Sequence, residues 1–509
     1  MRLKYFIFYI LIISPLFATA STPGRFPRDQ SDIKIYQTLL EEFPAELRDF
    51  DQTKESKAIV QEFQDDWSAY LKDRKPIPEK WFRGHTWSKD LSAFLNPMEV
   101  STRPVNKKML QSVRVQSDLT EAHSIEDPRL YGIQRIGNTI VSELARSKVK
   151  TIVYAGDNDS VAAALGFKIS SLYFLPSPYE AWGIRKAFVD SGAFADKKPR
   201  FLMLLPPSRQ YLRHYAQMFQ YLGVEVESVI LNLGDQRRQV ARLQKVFFDL
   251  RNQLPHAVDV VTLGYFDQFK KSSDDLKILT GEIAIGEGLT VQLVEERKNF
   301  QAIRYLLIKS DLTIWGESTA FVVQAALSLD PKAVLFMGSA GGINTKTSVY
   351  DLSIPSEFVL KGQLLPIQNE IYESLSQLQE PPSGVLLGAR HGHTNSPIEQ
   401  TKAFVSQRIK AGVDSYDVEQ NLIAETLISY NKKYGKKIMF GAINLITDKP
   451  KSFQHNWTHE FDLSSINFSM KSQAREKAVL LATRGFRNSS DIKRDFLKVK
   501  CAAVFSYAP

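Results

Sequence analysis

Cysteine is nearly absent: among 509 residues only Cys501 is one. A single cysteine excludes an internal disulfide and any cysteine-based metal centre, so core burial must supply what small exported domains draw from disulfides. A chain of this length can bury a core large enough for that. Long apolar runs are missing as well. Beyond the first twenty residues nothing approaches the roughly 18 unbroken apolar residues of a membrane helix. Basic runs interleaved with aromatics are also missing. Arg237-Arg238, Lys270-Lys271 and Lys432-Lys433 are scattered pairs, so the net charge of +9 reads as a solvated surface and not as a nucleic-acid face. No G-x-G-x-x-G fingerprint of dinucleotide binding occurs, and no cofactor is expected.

What is present begins with an export signal. Met1-Arg2-Leu3-Lys4 is basic, Tyr5–Phe17 is almost wholly apolar, and Ala18-Thr19-Ala20 has the small-x-small pattern of a cleavage site. The apolar run is short for a membrane span. Residues 1–20 are therefore expected to be a signal peptide cleaved after Ala20. The mature chain is expected to be periplasmic or secreted, without membrane association.

Three further regions follow. Residues 21–145 carry helix-period apolar positions at Ile35–Phe43 and Glu55–Leu71, then a proline- and aromatic-rich stretch, Lys75–Pro104, and read as a mainly helical N-terminal lobe. From 146 to 257 the rhythm is strand, turn, helix. Apolar runs at Thr151–Tyr154, Ser170–Leu175, Arg200–Leu205 and Val226–Leu231 alternate with helical patterns at Arg209–Leu222 and Asp235–Leu254. Such alternation argues for an α/β lobe with a mostly parallel sheet. The single glycine in Ala155-Gly156-Asp157 is ordinary turn chemistry, with phosphate binding at a helix start the sharper alternative. Val258–Phe266 starts a strand that opens the last region, residues 258–509.

That last region holds the chemistry. Leu312–Trp315 reads as a strand closing on Gly316, followed by a helix at Thr319–Leu329 and a buried strand at Ala333–Met337. The strand runs into Gly338-Ser339-Ala340-Gly341-Gly342, read as a loop whose glycines permit positive φ and close ligand approach. Carboxyl ends of strands in α/β sheets are where ligands bind. Then come Tyr350-Asp351-Leu352-Ser353-Ile354-Pro355, a strand Gly384–Gly388 ending in a loop with His391-Gly392-His393, a helix opened by Ser415-Tyr416-Asp417-Val418-Glu419-Gln420, and a buried strand Ile438–Ile446 leading to Thr447-Asp448. The histidine pair reads in three ways: half of a metal site, a pocket wall, or an exposed loop. No third ligand stands at a recognisable spacing, so no metal is expected.

This succession resembles the nucleoside phosphorylase/nucleosidase superfamily, which includes methylthioadenosine/S-adenosylhomocysteine nucleosidase. Gly338–Gly342 matches the family's "GSAGG", Asp351–Pro355 its "D-x-x-IP", Asp417-Val418-Glu419 with Ala424 its "E-M-E…A", and Ile446-Thr447-Asp448 its "I-S-D". The resemblance covers about residues 258–490. It implies a three-layer αβα domain with a central mixed sheet, a small nucleoside substrate, and cleavage of an N-glycosidic bond. Homo-oligomers are common in the family. Asp448 would protonate the leaving base, a role that desolvation at a strand end supports. Glu419 would bind the ribose 2′ and 3′ hydroxyls, contacts that tighten as charge grows on the sugar. Gly316, Ser339, Ala340, Gly341, Gly342, His393, Asp417, Val418 and Thr447 would line base and sugar. Without the resemblance, Asp448 and Glu419 read as a cap and a helix-dipole carboxylate.

The departures are as informative. Leu335, Phe336 and Met337 precede Gly338, where phosphorylases commonly place a phosphate-holding arginine, which favours water as acceptor. The glutamate that nucleosidases carry after their first strand is missing after Val258–Phe266, and Asp267 is the nearest carboxylate. Tyr350 stands where glycine is usual, and Gln420 where a small residue is. Three functions stay open: a nucleosidase, a phosphate-dependent phosphorylase, and a nucleoside-binding protein that has lost the chemistry.

Overall fold

The computed structural model describes residues 29–41, 105–115, 128–175, 184–271, 276–298, 301–310, 315–378, 382–449 and 468–488, with a few single positions besides. The expected leader, the Lys75–Pro104 stretch, most of Glu55–Leu71 and strand residues 312–314 lie outside them. The fold is mixed α/β. It divides into two compact units, one of residues 1–118 and 131–236, the other of 119–130 and 237–509.

Among the described residues the first unit has six strands: β1 Leu110–Ser112, β2 Lys150–Ala155, β3 Leu172–Leu175, β4 Arg185–Val189, β5 Arg200–Leu205 and β6 Val226–Asn232. Their order is β1-β6-β2-β5-β4-β3. Only β6, β2 and β5 run parallel, while β1, β4 and β3 pair antiparallel. The sheet expected to be mostly parallel is thus parallel at its centre alone. β3 and β4 pair antiparallel at that edge, which ends the parallel run. Helices α1 (Gln30–Leu40) and α2 (Asn138–Ser147) pack on each other. Two buried polar groups fasten α1: Asp32 accepts the Ser191 N–H at 2.7 Å, and the Tyr36 hydroxyl donates to Phe174 O at 3.0 Å. Helix α3 (Arg209–Tyr221) makes the crossover from β5 to β6, and α4 (Leu233–Arg251) carries the chain onward.

Among the described residues the second unit holds eleven strands: β7 Val260–Leu263, β8 Leu276–Ile278, β9 Ile283–Gly286, β10 Leu289–Lys298, β11 Gln301–Ser310, β12 Ala333–Gly342, β13 Leu352–Leu360, β14 Gln363–Leu364, β15 Val385–His393, β16 Ser415–Asp417 and β17 Met439–Asp448. β11, β7 and β12 are parallel neighbours. Their residues alternate between two cores, as the two-residue period of a strand requires. Val261, Leu263, Val334 and Phe336 meet Phe247 of α4, Val323 of α5 (Glu317–Ala326) and Ile423 of a later helix. Val260, Ala333, Leu335 and Met337 instead meet Ile371 of α6 (Glu370–Leu375) and others. The later helix is α7 (Gln420–Tyr434), and α8 (Phe468–Asn488) sends Ala478, Ala482 and Phe486 into the second core.

Past β12 the pairings close on themselves. β12 pairs β17, β17 pairs β13, β13 pairs β15, β15 pairs β16, and β16 returns to β12. Side chains of strands that are not neighbours meet across this ring. Ser353 of β13 lies 3.1 Å from Ser415 of β16, and Asn444 of β17 lies 3.4 Å from His391 of β15. All four are fully buried, so the ring encloses a polar centre.

Three sequence expectations need correction here. The Gly338–Gly342 segment is strand, and none of its three glycines takes a positive φ. They are needed for closeness: a Cβ on Gly342 would lie 2.7 Å from the Ile446 side chain, and one on Gly341 3.0 Å from the Tyr416 ring. His391–His393 is the end of β15, not a loop, and both histidines are buried. Ser415–Asp417 is strand β16, so the helix begins only at Gln420, with Glu419 as its N-cap.

Gly264 presents the tightest approach, with φ of +88° and a would-be Cβ 1.8 Å from the Met337 carbonyl oxygen. Gly435, the C-cap of α7, has φ of +61° and nothing within 4 Å. Gly264→Ala should therefore destabilise the fold by about 3 kcal/mol or more, and Gly435→Ala by only about 1 kcal/mol. Urea denaturation of both variants checks this; equal costs would mean that the close contact at Met337 is not a constraint.

Candidate active site

At the carboxyl ends of β7 and β11, beside the middle of the longer strand β12, lies a cavity of about 400 Å³. Each wall follows from local chain behaviour. β7 ends at Gly264, which turns hard against β12, and Tyr265 continues the turn with φ of +52°. The Tyr265 hydroxyl donates to Gly338 O at 2.6 Å, and the Arg475 guanidinium lies 5.1 Å from its ring centre. Burial pushes that hydroxyl up to about 12, against the pull of Arg475. Lys309 and Ser310 of β11, Thr319 from the first turn of α5, and Gly338 and Ser339 of β12 complete the polar side. Leu263, Phe266, Ile308 and Phe336 make the other side apolar. Thr319 is buried, and its hydroxyl has no partner.

Glu419 enters the cavity from the N-terminus of α7. Its carboxyl is held well above the ordinary range, first by burial and then by the negative charge of Asp417. Backbone N–H groups, that of Gly316 among them, act in the opposite direction. Asp417 is buried, and its Oδ1 accepts the N–H groups of Glu419 at 3.2 Å and Gln420 at 3.1 Å. Asp448 stands opposite Gly341 in the β12–β17 register. Gly341 is two positions beyond Ser339, which puts Asp448 about 7 Å along the strand from the cavity floor. Burial raises its carboxyl, and a hydrogen bond of 2.8 Å from the Thr447 hydroxyl opposes that.

Of the residues named from sequence, Ser339 and Glu419 line the cavity. Gly316 is tied to it through its N–H, and Gly341, Thr447 and Asp448 occupy the next step along the sheet edge. Ala340, Gly342 and Val418 are buried in the surrounding wall, and Asp417 lies behind Glu419. His393 is buried too, and desolvation pushes it down to about 4, so it is neutral near pH 7. Among the described residues no three His, Cys, Asp or Glu side chains group closely enough for a metal ion. Sequence reasoning missed Gly264, Tyr265, Lys309, Ser310 and Thr319. Where it looked for a carboxylate after the first strand, Tyr265 stands, and Asp267 is exposed. A glycine followed by an aromatic at a strand end was the available signal.

A raised carboxyl costs stability at neutral pH. The native state keeps a proton that the unfolded chain has already lost, so the favourable contribution below the unfolded value disappears as pH rises through the folded one. Glu419→Gln should match the wild type in acid and melt at a higher temperature than it in mild alkali. Melting scans between about pH 5 and pH 8 test this; a gap that does not widen with pH would contradict the burial of that charge.

No protein-family model matches this sequence, and no curated protein does. Among solved structures, the chain is similar to a Campylobacter jejuni 5′-methylthioadenosine/S-adenosyl homocysteine nucleosidase, at 12% identity and a TM-score of 0.32. It is also similar to a futalosine hydrolase mutant of Helicobacter pylori strain 26695, at 9% identity and a TM-score of 0.31. Both likenesses cover 45% of this chain and 98% of the other.

Proposed function

We propose that residues 258–509 form a nucleosidase-like domain that cleaves the N-glycosidic bond of a purine nucleoside or related N-ribosyl compound. One observation carries the reading: of two desolvated carboxyls, Glu419 lines a cavity of about 400 Å³ and Asp448 stands opposite Gly341, two positions beyond the cavity's Ser339 on β12. That volume is within the range of small-ligand pockets. In this reading Asp448, its proton retained by burial, protonates the leaving base. Glu419 takes the ribose hydroxyls, and Ser339 with the Gly316 turn borders the sugar. The alternation of strand residues between two cores supports a three-layer αβα arrangement. The 21–145 and 146–257 regions have no assigned role, and export is proposed from the N-terminal signal alone.

Water is the proposed acceptor. Two observations favour rivals. Lys309 and the α5 N-terminus beside Thr319 suit an anionic acceptor, as a phosphorylase needs. Tyr265, too weak an acid to be a base near neutrality, leaves no evident group after β7 to activate water, which suits a binding protein.

Purified protein incubated with a panel of purine nucleosides, with and without inorganic phosphate, should release free base without needing phosphate. Asp448→Asn should slow release by about 10²- to 10⁴-fold, the usual contribution of a general acid. Glu419→Gln should chiefly weaken substrate use, seen in kcat/KM. Phosphate dependence would name a phosphorylase. Binding without release would name a binding protein, and release indifferent to Asp448→Asn would remove it from the chemistry.

A further inference from the structure

The proposed cleavage leaves one charged group of the cavity without a task. Lys309 lines the cavity from the end of β11 and is exposed, and among the described residues no carboxylate pairs with it. Neighbouring cations of the same sheet are matched. Arg304, the other basic residue of β11, donates to Glu295 at 3.0 Å, and Lys332, just before β12, lies 3.2 Å from Asp259. The cavity's own carboxyl, Glu419, is a poor counter-ion, because burial favours its protonated form. Beside Lys309 the wall is apolar, with Leu263, Phe266, Ile308 and Phe336. A cation against such a wall attracts an anion more strongly than one in open water.

The order of the strands says which part of a substrate that cation meets. β17 and β7 flank β12 on opposite sides, and β11 lies beyond β7. Ile308 and Phe336 are both in register with Leu263, so Lys309 is level with Met337 and two strand spacings from it, about 10 Å. Across the sheet edge the sequence of groups is therefore Asp448, Ser339, Lys309. With the base toward Asp448 and the ribose at Glu419 and Ser339, Lys309 stands on the far side of the sugar from the base. A nucleoside carries its 5′ substituent on that side, across the ring from C1′.

We propose that the ligand of this cavity is an N-ribosyl compound with an oxyanion, phosphate or carboxylate, on its 5′ substituent, and that Lys309 is the residue that selects it. The direction in which the ligand lies rests on the nucleosidase reading. A free phosphate ion presents the same oxyanion and could meet the same cation as an acceptor. An acceptor must reach C1′, however, and C1′ lies toward Asp448, at the other end of the edge from Lys309. That separation favours the 5′ group.

Adenosine and inosine, each compared with its 5′-monophosphate and its 5′-carboxylate, separate the cases. Binding to the full chain is read by isothermal titration calorimetry and turnover by base release, both in phosphate-free buffer. An anionic 5′ group should improve affinity, and kcat/KM where there is turnover, by about tenfold over the parent nucleoside, the usual worth of a hydrogen bond to a charged group. The gain should shrink as salt is added. Lys309→Met should abolish it and Lys309→Arg should keep most of it, with melting temperatures confirming that both variants fold. Parent and anionic ligands treated alike by the wild type, or a gain that survives Lys309→Met, would overturn the proposal. So would adenosine cleavage that inorganic phosphate accelerates in the wild type but not in Lys309→Met, because the anion would then be the acceptor. Base release with no preference for the 5′ anion would sink this inference and leave the nucleosidase reading standing. A Lys309-dependent preference in binding with no release from any compound would do the reverse. No binding by any of the compounds would also overturn the proposal.

Discussion

Strand β12 has to belong to two assemblies at once, and the second unit depends on how it does so. Along its first half it is an inner strand between β7 and β17, with side chains that fill two apolar cores. Along its second half it closes the five-strand ring against β16 and β17. A closing strand comes nearer to its neighbours than side chains allow, and glycine is the residue that permits it. The would-be Cβ contacts of 3.0 Å at Gly341, to the Tyr416 ring of β16, and 2.7 Å at Gly342, to Ile446 of β17, state that constraint directly. The cavity is a by-product of the same closeness. Where β12 loses its side chains, the space beside β7 and β11 stays open, and Glu419 and Ser339 are left facing it.

That arrangement explains where strain and charge are tolerated. The second unit holds two half-buried acids whose charged forms it disfavours, Glu419 and Asp448, and a buried histidine, His393, whose charged form it disfavours as well. Two other buried acids have basic partners: Glu295 lies against Arg297 and Arg304, and Glu296 against Arg487. The contrast separates framework from site. Paired buried acids have their charge matched by geometry, whereas unpaired ones keep a proton, and a held proton is what acid catalysis needs.

The sequence made the framework legible where burial is one-sided and elements are long. β5 and the helix begun at Arg209 appear where apolar periodicity put them, because those residues have no competing use. It misread residues whose conformation is set by partners far along the chain. The Gly338–Gly342 segment looks like a turn to any local rule, and it is strand only because β16 and β17 lie beside it. His391 looked like a loop residue for the same reason. Of the cavity lining, Ser339 and Glu419 were named through motif resemblance. Tyr265 and Lys309 were not, since an aromatic after a glycine and a lysine at a strand end have many ordinary uses.

The first unit shows why parallel strands alone do not make a site. The carboxyl ends of β2 and β6 lie beside each other, the same kind of edge that carries the cavity in the second unit. Here the edge is filled by the chain itself. Asp235 is fully buried and accepts the Asp157 N–H at 2.8 Å and the Ser160 hydroxyl at 2.9 Å. Asn232 donates to the Tyr154 hydroxyl at 2.9 Å, and a Cβ on Gly156 would come within 2.6 Å of Asp235. The N–H that a phosphate would seek at the end of β2 is already bound by an internal carboxylate. Gly156 is therefore a packing glycine, and a ligand there would have to displace a buried charge with no water to receive it. The second unit instead leaves its edge open, with Ser339 and Glu419 facing the cavity.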